Sequence, residues 1–197
     1  MKELKRFCSF LIVAILFTSC TKTTDFYTIQ GEAQGSTYSI KYISTEEKVT
    51  KNQIDSLLTA FDLSLSTYRP DSKISKINAG DSTVVVDDFF TETFKLSNQI
   101  YKETNGLFDP TIGVLVNAYG FGPNKKHQDL APKQIDSLLQ FVGFDKIALK
   151  SNKTISKKYK ETFIDFNAIA QGYSVDVVVN YLKSKGIENA IVGITST

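Results

Sequence analysis

The chain has few of the residues that carry most metal-centre and nucleophilic chemistry. Its 197 residues include one histidine, two cysteines and no tryptophan. A single histidine excludes His-rich metal centres and leaves an HExxH site or a histidine-based triad impossible or strained. Two cysteines exclude a disulfide scaffold, and neither GxGxxG nor GxxxxGK[ST] occurs. Chemistry based on hard oxygen ligands is what remains.

The overall composition is that of a globular protein. Hydrophobic residues make up 42% of the chain and charged residues 22%, so a core can form within one domain or two small ones. A content of 12% aromatic residues, together with this apolar fraction, excludes a disordered chain.

The N-terminus has the pattern of a secretory signal. Lys2, Lys5 and Arg6 form a basic start, and residues 7–17 are an unbroken run of apolar or small residues. This run is about half as long as the ~20 residues that a membrane-spanning helix needs. It leads into the sequence LFTSC, which resembles a bacterial lipobox with cleavage before Cys20. We expect Cys20 to carry a lipid; an ordinary signal peptide is the alternative.

This pattern divides the chain and predicts its location. We expect a signal peptide at 1–19, a tether at 20–26 and a folded domain at 27–197, in a bacterial inner-membrane lipoprotein that faces the periplasm. The folded part would then keep neither a free thiol nor a disulfide. Removing residues 1–19 leaves 20 basic and 20 acidic residues. Without a net positive charge, nucleic acid is not expected among the partners.

Helix and strand patterns alternate along the folded part. Thr50 and Gln53 form a capping box before apolar residues at helical spacing, which predicts a helix that ends before Pro70. A second helix is predicted from a cap at Asp87 or Asp88 to a stop at 105–106, and others at 132–141 and 168–185. Strands are predicted at 27–33, 37–43, 82–86, 146–149, 154–156, 162–166 and 190–194, the first two as a hairpin. Residues 107–122 are predicted to be irregular, and the whole to form one α+β domain.

Three side chains are candidates for ligand binding. Asp165 follows an apolar strand and precedes a helix, where a carboxylate can hold the polar edge of a ligand while helix N–H groups meet phosphate. An ordinary N-cap explains Asp165 equally well. Asp109, restrained by Pro110, is by itself better explained as a turn former. Tyr68 can stack on a flat ring, but a half-buried tyrosine is commoner. His127, beside two lysines, is interpreted as a solvated loop residue.

Taken in order, five short motifs resemble the successive motifs of the ApbE family. They are residues 31–38 (GEAQGSTY), 65–72 (LSTYRPDS), 106–113 (GLFDPTIG), 119–123 (YGFGP) and 164–173 (IDFNAIAQGY). Members of this family are FAD:protein FMN transferases, long labelled thiamine biosynthesis lipoproteins. The resemblance covers nearly all of residues 27–193 and implies a T-fold-related domain of mixed helices and antiparallel strands.

The resemblance implies a reaction and a site. FAD is split at its pyrophosphate, FMN is esterified through its phosphate to a threonine or serine hydroxyl of an acceptor protein, and AMP leaves, with Mg²⁺ assisting. Phosphoryl transfer depends mainly on positioning and charge neutralisation, so histidine is not required. The implied FAD contacts are Gln34, Tyr68, Leu107, Phe108, Asp109, Asp165 and Gln171. Ala168 would offer its backbone carbonyl to Mg²⁺, and the acceptor would be a subunit of a membrane redox complex.

The end of the sequence departs from the family pattern. Beyond residue 193 the family continues with a Gly-Gly turn and a segment that carries the aspartate and threonine that bind Mg²⁺, and we expect the catalytic residues there. One backbone carbonyl cannot replace carboxylate ligands. We therefore expect this chain alone to bind metal poorly and to transfer FMN slowly or not at all. The alternative function is a catalytically dead, membrane-tethered flavin-binding fragment; Mg²⁺-dependent AMP release in the presence of an acceptor separates the two.

Overall fold

The structure is a computed structural model that describes residues 23–122 and 129–195. The predicted signal peptide at 1–19, the predicted lipid-bearing Cys20 and the loop residue His127 lie outside the described residues. Within the described ranges, none of the helices combines the length and the apolar character needed to cross a membrane.

Helices and strands are mixed along one domain. In chain order the elements are β1 (Asp25–Ala33), β2 (Ser36–Ser44), α1 (Lys51–Leu65), α2 (Lys73–Asn78), α3 (Asp88–Glu103), α4 (Gly113–Ala118), α5 (Pro132–Leu139), a short 3-10 helix (Phe144–Lys146), β3 (Ile147–Leu149), β4 (Ile155–Lys157), α6 (Asn167–Ser184) and β5 (Ala190–Thr195). The α+β fold class is confirmed. Strand β1 begins at Asp25, inside the predicted tether.

The larger sheet has the strand order β1-β2-β5, and both pairings are antiparallel. The predicted hairpin is confirmed, with the turn reduced to Gln34 and Gly35, whose φ angles are 58° and 68°. Positive φ at both turn residues matches the right-handed twist of the paired strands. Tyr38, Ile40 and Tyr42 alternate along β2 and are buried, so one face of the sheet lies on the core.

Helices α1 and α6 each contact two clusters of buried apolar side chains. The first cluster lies against the sheet, where α1 contributes Ile54 and Leu58 and α6 contributes Val178 and Leu182. The second lies among the helices and contains Phe61, Leu65, Phe90, Phe94, Phe144, Ile164, Phe166 and Ala170. Since both helices take part in both clusters, burial of the two cores fixes α1 against α6 along their lengths.

The predicted helix starts are confirmed. The backbone N–H of Thr50 donates to Gln53 Oε1 at 2.9 Å, as the capping box requires. Asp87 is the N-cap of α3 and accepts from the backbone N–H of Phe90 at 3.0 Å. The same oxygen accepts from the hydroxyl of the buried Ser64 at 2.6 Å, so this cap also ties α3 to α1.

Two predicted strands are wrong, because within 23–122 and 129–195 neither segment pairs with another strand along its length. Residues 82–86 form a turn and an extended piece, with one hydrogen bond from the Val86 N–H to the carbonyl of Lys153 at 2.8 Å. Residues 162–166 form a single parallel bridge, between Phe163 and Ile112. The short helices α2 and α4 were not predicted; α2 is capped by Ser72, which accepts from the Ser75 N–H at 3.1 Å.

Candidate functional site

The chain just before Asp165 is held by the side chain of Asn78, the last residue of α2. Asn78 Nδ2 donates to the carbonyl of Ile164 at 2.8 Å, and Asn78 Oδ1 accepts from the Ile164 N–H at 2.8 Å. One side-chain amide thus makes the two hydrogen bonds that a neighbouring strand would otherwise make. Ile164 is fully buried, so both of its backbone groups need these partners.

Lys157 fixes the loop that leads to this corner. Its ammonium donates to the carbonyls of Asn78 at 3.2 Å, Lys160 at 2.9 Å and Thr162 at 2.9 Å, which accounts for all three of its donors. Burial lowers the pKa of Lys157, and the nearby Glu161 partly opposes this. Lys157 is therefore a structural cross-link between the end of α2 and residues 160–162.

The Asp109 turn lies beside the Asp165 corner. Asp109 Oδ1 accepts from the backbone N–H of Thr111 at 2.8 Å and from its hydroxyl at 2.6 Å, and the Thr111 hydroxyl accepts from the Gly143 N–H at 2.6 Å. The backbone N–H of Asp165 donates to the carbonyl of Pro110 at 2.8 Å. The residues that form the turn at Asp109 are thus joined by backbone hydrogen bonding to the corner at Asp165.

Glycine at position 113 allows these two segments to approach. A Cβ atom at Gly113 would lie 2.5 Å from the ring of Phe163, 2.9 Å from the Phe163 carbonyl oxygen and 3.3 Å from the Cβ of Asp165. A larger residue would therefore push the start of α4 away from Asp165.

The carboxylate of Asp165 sits at the start of α6. Its Oδ1 accepts from the backbone N–H of Asn167 at 2.8 Å. Burial raises the pKa of Asp165, and hydrogen bonds from Asn167 partly oppose this. Asn167 Nδ2 in turn donates to Thr67 Oγ1 at 3.3 Å, which joins the corner to the loop that carries Tyr68. The helix-start interpretation and the ligand interpretation of Asp165 remain compatible, because a carboxylate has about four acceptor sites and the hydrogen bonds from Asn167 do not use all of them.

An open groove of about 670 Å³ lies where the β1–β2 turn, the end of α1 and the start of α6 meet. This volume falls in the range of small-molecule sites, about 300–1,000 Å³. The groove is lined by Gln34, Gly35, Phe61, Asp62, Leu65, Ser66, Tyr68, Arg69, Asn167, Ala170 and Gln171. Its apolar floor comes from the helical core, and the ring of Tyr68 at its rim is 55% exposed.

One wall of the groove is polar. Burial raises the pKa of Asp62, while the charge of Arg69 and hydrogen bonding from Gln34 partly oppose this. Arg69 donates two hydrogen bonds to the carboxylate of Asp71, from Nε at 3.1 Å and from Nη2 at 2.8 Å. The Gln34 Oε1 accepts from the Ser174 hydroxyl of α6 at 3.1 Å. The wall therefore holds a carboxylate, a guanidinium and an amide in one cavity.

The structure brings part of the predicted site together. Gln34, Tyr68 and Gln171 line the groove, and Asp165 and Ala168 flank its lining residue Asn167. The other predicted contacts, Leu107, Phe108 and Asp109, are not among the residues that line it. The side chain of Leu107 is 94% exposed, and Asp109 is engaged with Thr111.

Several site residues were missed at the sequence level. Asp62 reads as an ordinary charge on an amphipathic helix, but it follows Leu58 by four residues and precedes Leu65 by three. That spacing places Asp62 on the buried face of α1 and is a signal that could have identified it. Nothing in the sequence around Asn78 or Lys157 indicates a partner about eighty residues away.

The described residues do not provide a complete magnesium site. Within 23–122 and 129–195, no group of three or more histidine, cysteine, aspartate or glutamate side chains is placed to hold a metal ion. The corner offers the Asp165 carboxylate and the predicted Ala168 carbonyl, whereas Mg²⁺ takes six oxygen ligands in near-ideal octahedral geometry.

A family model described as the ApbE family matches residues 34–196. The chain is 35% identical over 196 residues to the FAD:protein FMN transferase of Vibrio cholerae serotype O1, covering 91% of this chain and 56% of that protein. It is 31% identical over 207 residues to the FAD:protein FMN transferase of Haemophilus influenzae, covering 98% of this chain and 60% of that protein. The chain thus spans less than two thirds of the length of these relatives.

Solved structures resemble the fold closely. The flavin transferase ApbE from Vibrio cholerae matches with a TM-score of 0.80 and 32% identity, covering 88% of this chain and 58% of that one. The apo form of the Pseudomonas stutzeri flavinyl transferase ApbE matches with a TM-score of 0.79 and 28% identity, covering 88% and 57% of the two chains.

Replacing Asn78 by alanine should destabilise the fold strongly. Asn78→Ala leaves the buried N–H and C=O of Ile164 without partners, at a cost of about 1–3 kcal/mol for each group. We expect urea denaturation to show a loss of about 2–6 kcal/mol in the free energy of unfolding. Asn180→Ala, at an exposed position of α6, is the matched control and should change it by less than about 0.5 kcal/mol. Equal losses in the two variants would contradict the role assigned to Asn78.

The two carboxylates of α1 should affect stability in opposite directions as pH changes. The pKa of Asp62 is raised, so the folded state loses stability relative to the unfolded state as pH rises from the unfolded pKa through the folded one. Between these two pKa values, the Asp62→Asn variant should therefore become more stable than the parent protein as pH rises. At higher pH it should remain more stable. The hydrogen bond from Lys51 and that from Tyr38 lower the pKa of Asp55. The ionised Asp55 carboxylate therefore stabilises the folded state above the pKa that Asp55 has in the unfolded chain, and this stabilisation is lost on acidification.

Urea denaturation of the parent protein, Asp62→Asn and Asp55→Asn from about pH 3 to pH 8 tests both assignments. Asp55→Asn should be less stable than the parent at neutral pH, and the difference should shrink on acidification. A difference between Asp62→Asn and the parent that stays constant with pH would refute the assignment for Asp62.

Proposed function

The chain belongs to the ApbE family, and on that basis we propose that its groove binds FAD and serves the transfer of FMN from FAD to a threonine or serine hydroxyl of an acceptor protein, with release of AMP. The observation that carries this proposal is the groove itself. It gathers Gln34, Tyr68 and Gln171 from three separate motifs beside the Asp165 corner. The names of the relatives and of the similar solved structures support the same activity.

The groove offers a suitable surface for each part of a flavin nucleotide. The exposed face of Tyr68 provides a platform on which a planar ring can stack. The amides of Gln34 and Gln171 can donate and accept hydrogen bonds. The first turn of the 18-residue helix α6 lies at the groove, and the positive end of its helix dipole favours a phosphate there. These groups bind and orient the nucleotide.

Mg²⁺ would supply further neutralisation of phosphate oxygens in this reaction. Since Asp165 and Ala168 do not complete a ligand set, we propose that the remaining ligands come from substrate phosphates and from protein beyond the described residues. The acceptor we propose is a subunit of a membrane redox complex, in keeping with the lipid anchor predicted at Cys20.

The function is tested by incubating the protein with FAD, Mg²⁺ and a threonine-bearing acceptor protein. AMP is measured by chromatography, and covalent FMN on the acceptor is measured by in-gel fluorescence. Mg²⁺-dependent AMP release with labelled acceptor supports the transferase. FAD binding without AMP release supports the membrane-tethered binding module instead, and failure to bind FAD overturns both.

Removing the Asp165 carboxylate should weaken FAD binding. A hydrogen bond to a charged group contributes about 1.5–3 kcal/mol, so we expect Asp165→Ala to raise the Kd for FAD by about ten-fold or more in a fluorescence titration. Asp165→Asn keeps an acceptor for the Asn167 N–H and separates lost binding from lost folding. Asp176→Ala, at an exposed position of the same helix, is the control. Unchanged affinity in both Asp165 variants would remove Asp165 from the site.

We also propose that the mature protein is a lipoprotein of the inner membrane that faces the periplasm. The basic start, the short apolar run and the LFTSC sequence before Cys20 support this. Cys20→Ser should abolish incorporation of labelled fatty acid and move the protein out of the membrane fraction. Cys8→Ser, within the apolar run, is the matched control and should leave both unchanged. A membrane-bound Cys20→Ser protein without lipid would indicate an uncleaved signal segment.

A further inference from the structure

We propose that Asp62, together with Gln34 and Arg69, binds the hydrogen-bonding edge of the ring that stacks on Tyr68, an edge that carries an N–H donor next to an acceptor. This inference rests on the proposed function and names a recognition subsite within the same groove. Within FAD, two rings have such an edge: the pyrimidine part of the flavin and the amine edge of adenine.

Asp62 is placed where it can reach the edge of a ring that lies in the groove. Asp62 lies on the last full turn of α1, between Phe61 and Leu65, which form the apolar floor of the groove. The loop that follows the helix brings Tyr68 and Arg69 to the same cavity. A planar ring that lies on this floor against Tyr68 therefore presents its polar edge to the wall that contains Asp62.

The carboxylate of Asp62 is only partly satisfied by the protein. Within the described residues it lies in no ion pair, since the guanidinium of Arg69 is held by Asp71 in two hydrogen bonds of 3.1 and 2.8 Å. Burial of a carboxylate without an ion-pair partner costs stability, and the raised pKa of Asp62 reflects that cost. A ligand that donates a hydrogen bond to Asp62 would offset it.

Gln34, which lines the same cavity, has a backbone conformation that is unfavourable for its residue type. Its φ of 58° is one of three positive values among the non-glycine residues described; the β1–β2 turn requires this conformation, which glutamine adopts less readily than glycine or asparagine. The Ser174 hydroxyl holds its side chain over the groove at 3.1 Å. Backbone strain that surrounding contacts maintain at a cavity is typical of ligand sites.

The chemistry of the three groups selects the ligand. A carboxylate accepts hydrogen bonds, a guanidinium donates them, and an amide does both. Together they complement a neutral edge with an N–H donor beside acceptors. An ionised Asp62 repels phosphate, so this wall suits an uncharged ring edge rather than the pyrophosphate of FAD.

The test titrates the full chain with FAD, riboflavin and ADP and compares the parent protein with Asp62→Ala and Asp62→Asn. Asp55→Asn, on the same helix and outside the groove, is the control. Asp62→Ala should weaken FAD binding by about ten-fold or more. Weaker riboflavin binding with unchanged ADP binding identifies the flavin ring; weaker ADP binding with unchanged riboflavin binding identifies adenine.

A second measurement separates recognition from folding. Asp62→Asn should be more stable than the parent at neutral pH and yet bind FAD more weakly, a combination that a purely structural residue does not produce. FAD affinity within two-fold of the parent in both Asp62 variants overturns the inference, as does an equal loss for riboflavin and ADP. If the parent protein does not bind FAD, the proposed function is overturned and the subsite with it.

Discussion

The position of the Asp165 corner depends on one side-chain amide. The side chain of Asn78 makes hydrogen bonds of 2.8 Å to both backbone groups of Ile164, which no neighbouring strand among the described residues provides. The ammonium of Lys157 donates to the carbonyl of Asn78 and to those of Lys160 and Thr162, which joins the end of α2 to the loop before Ile164. Asp165 and the start of α6 follow Ile164 in the chain. The position of this side of the groove therefore depends on contacts that lie outside the groove.

The groove lies beside well-packed apolar clusters but contains two residues whose conformation or burial is unfavourable. Both apolar clusters pack α1 against α6, and the groove lies beside this packed interface. Within that space the protein keeps a half-buried carboxylate at Asp62 and a strained turn residue at Gln34. The surrounding packing offsets these costs, and their location in one groove is what supports the proposal that this groove binds a ligand.

Local signals predicted most of the fold. The hairpin, α1, α3 and α6 are each specified by nearby residues, such as the capping pair Thr50 and Gln53. The strand predicted at 162–166 failed because its hydrogen bonds go to Asn78, 86 positions away from Ile164, and a side chain leaves no periodic trace in sequence. The site was predicted in part through family motifs. Asp62 was missed because an acidic residue at the edge of an apolar stripe looks like a solvated one.

The sheet has a consequence for the order of assembly. Strands β1 and β2 are neighbours in sequence, but β5 pairs with β2 across a long separation, with Thr195 opposite Thr37. The hairpin can form as soon as its own residues are available, whereas the second edge of β2 stays open until nearly the whole described chain has been made. Pairing over such a distance is slow, and an open edge invites association with other chains in the meantime. The late pairing of β5 therefore leaves β2 open to association with other chains for most of the time that the described chain takes to fold.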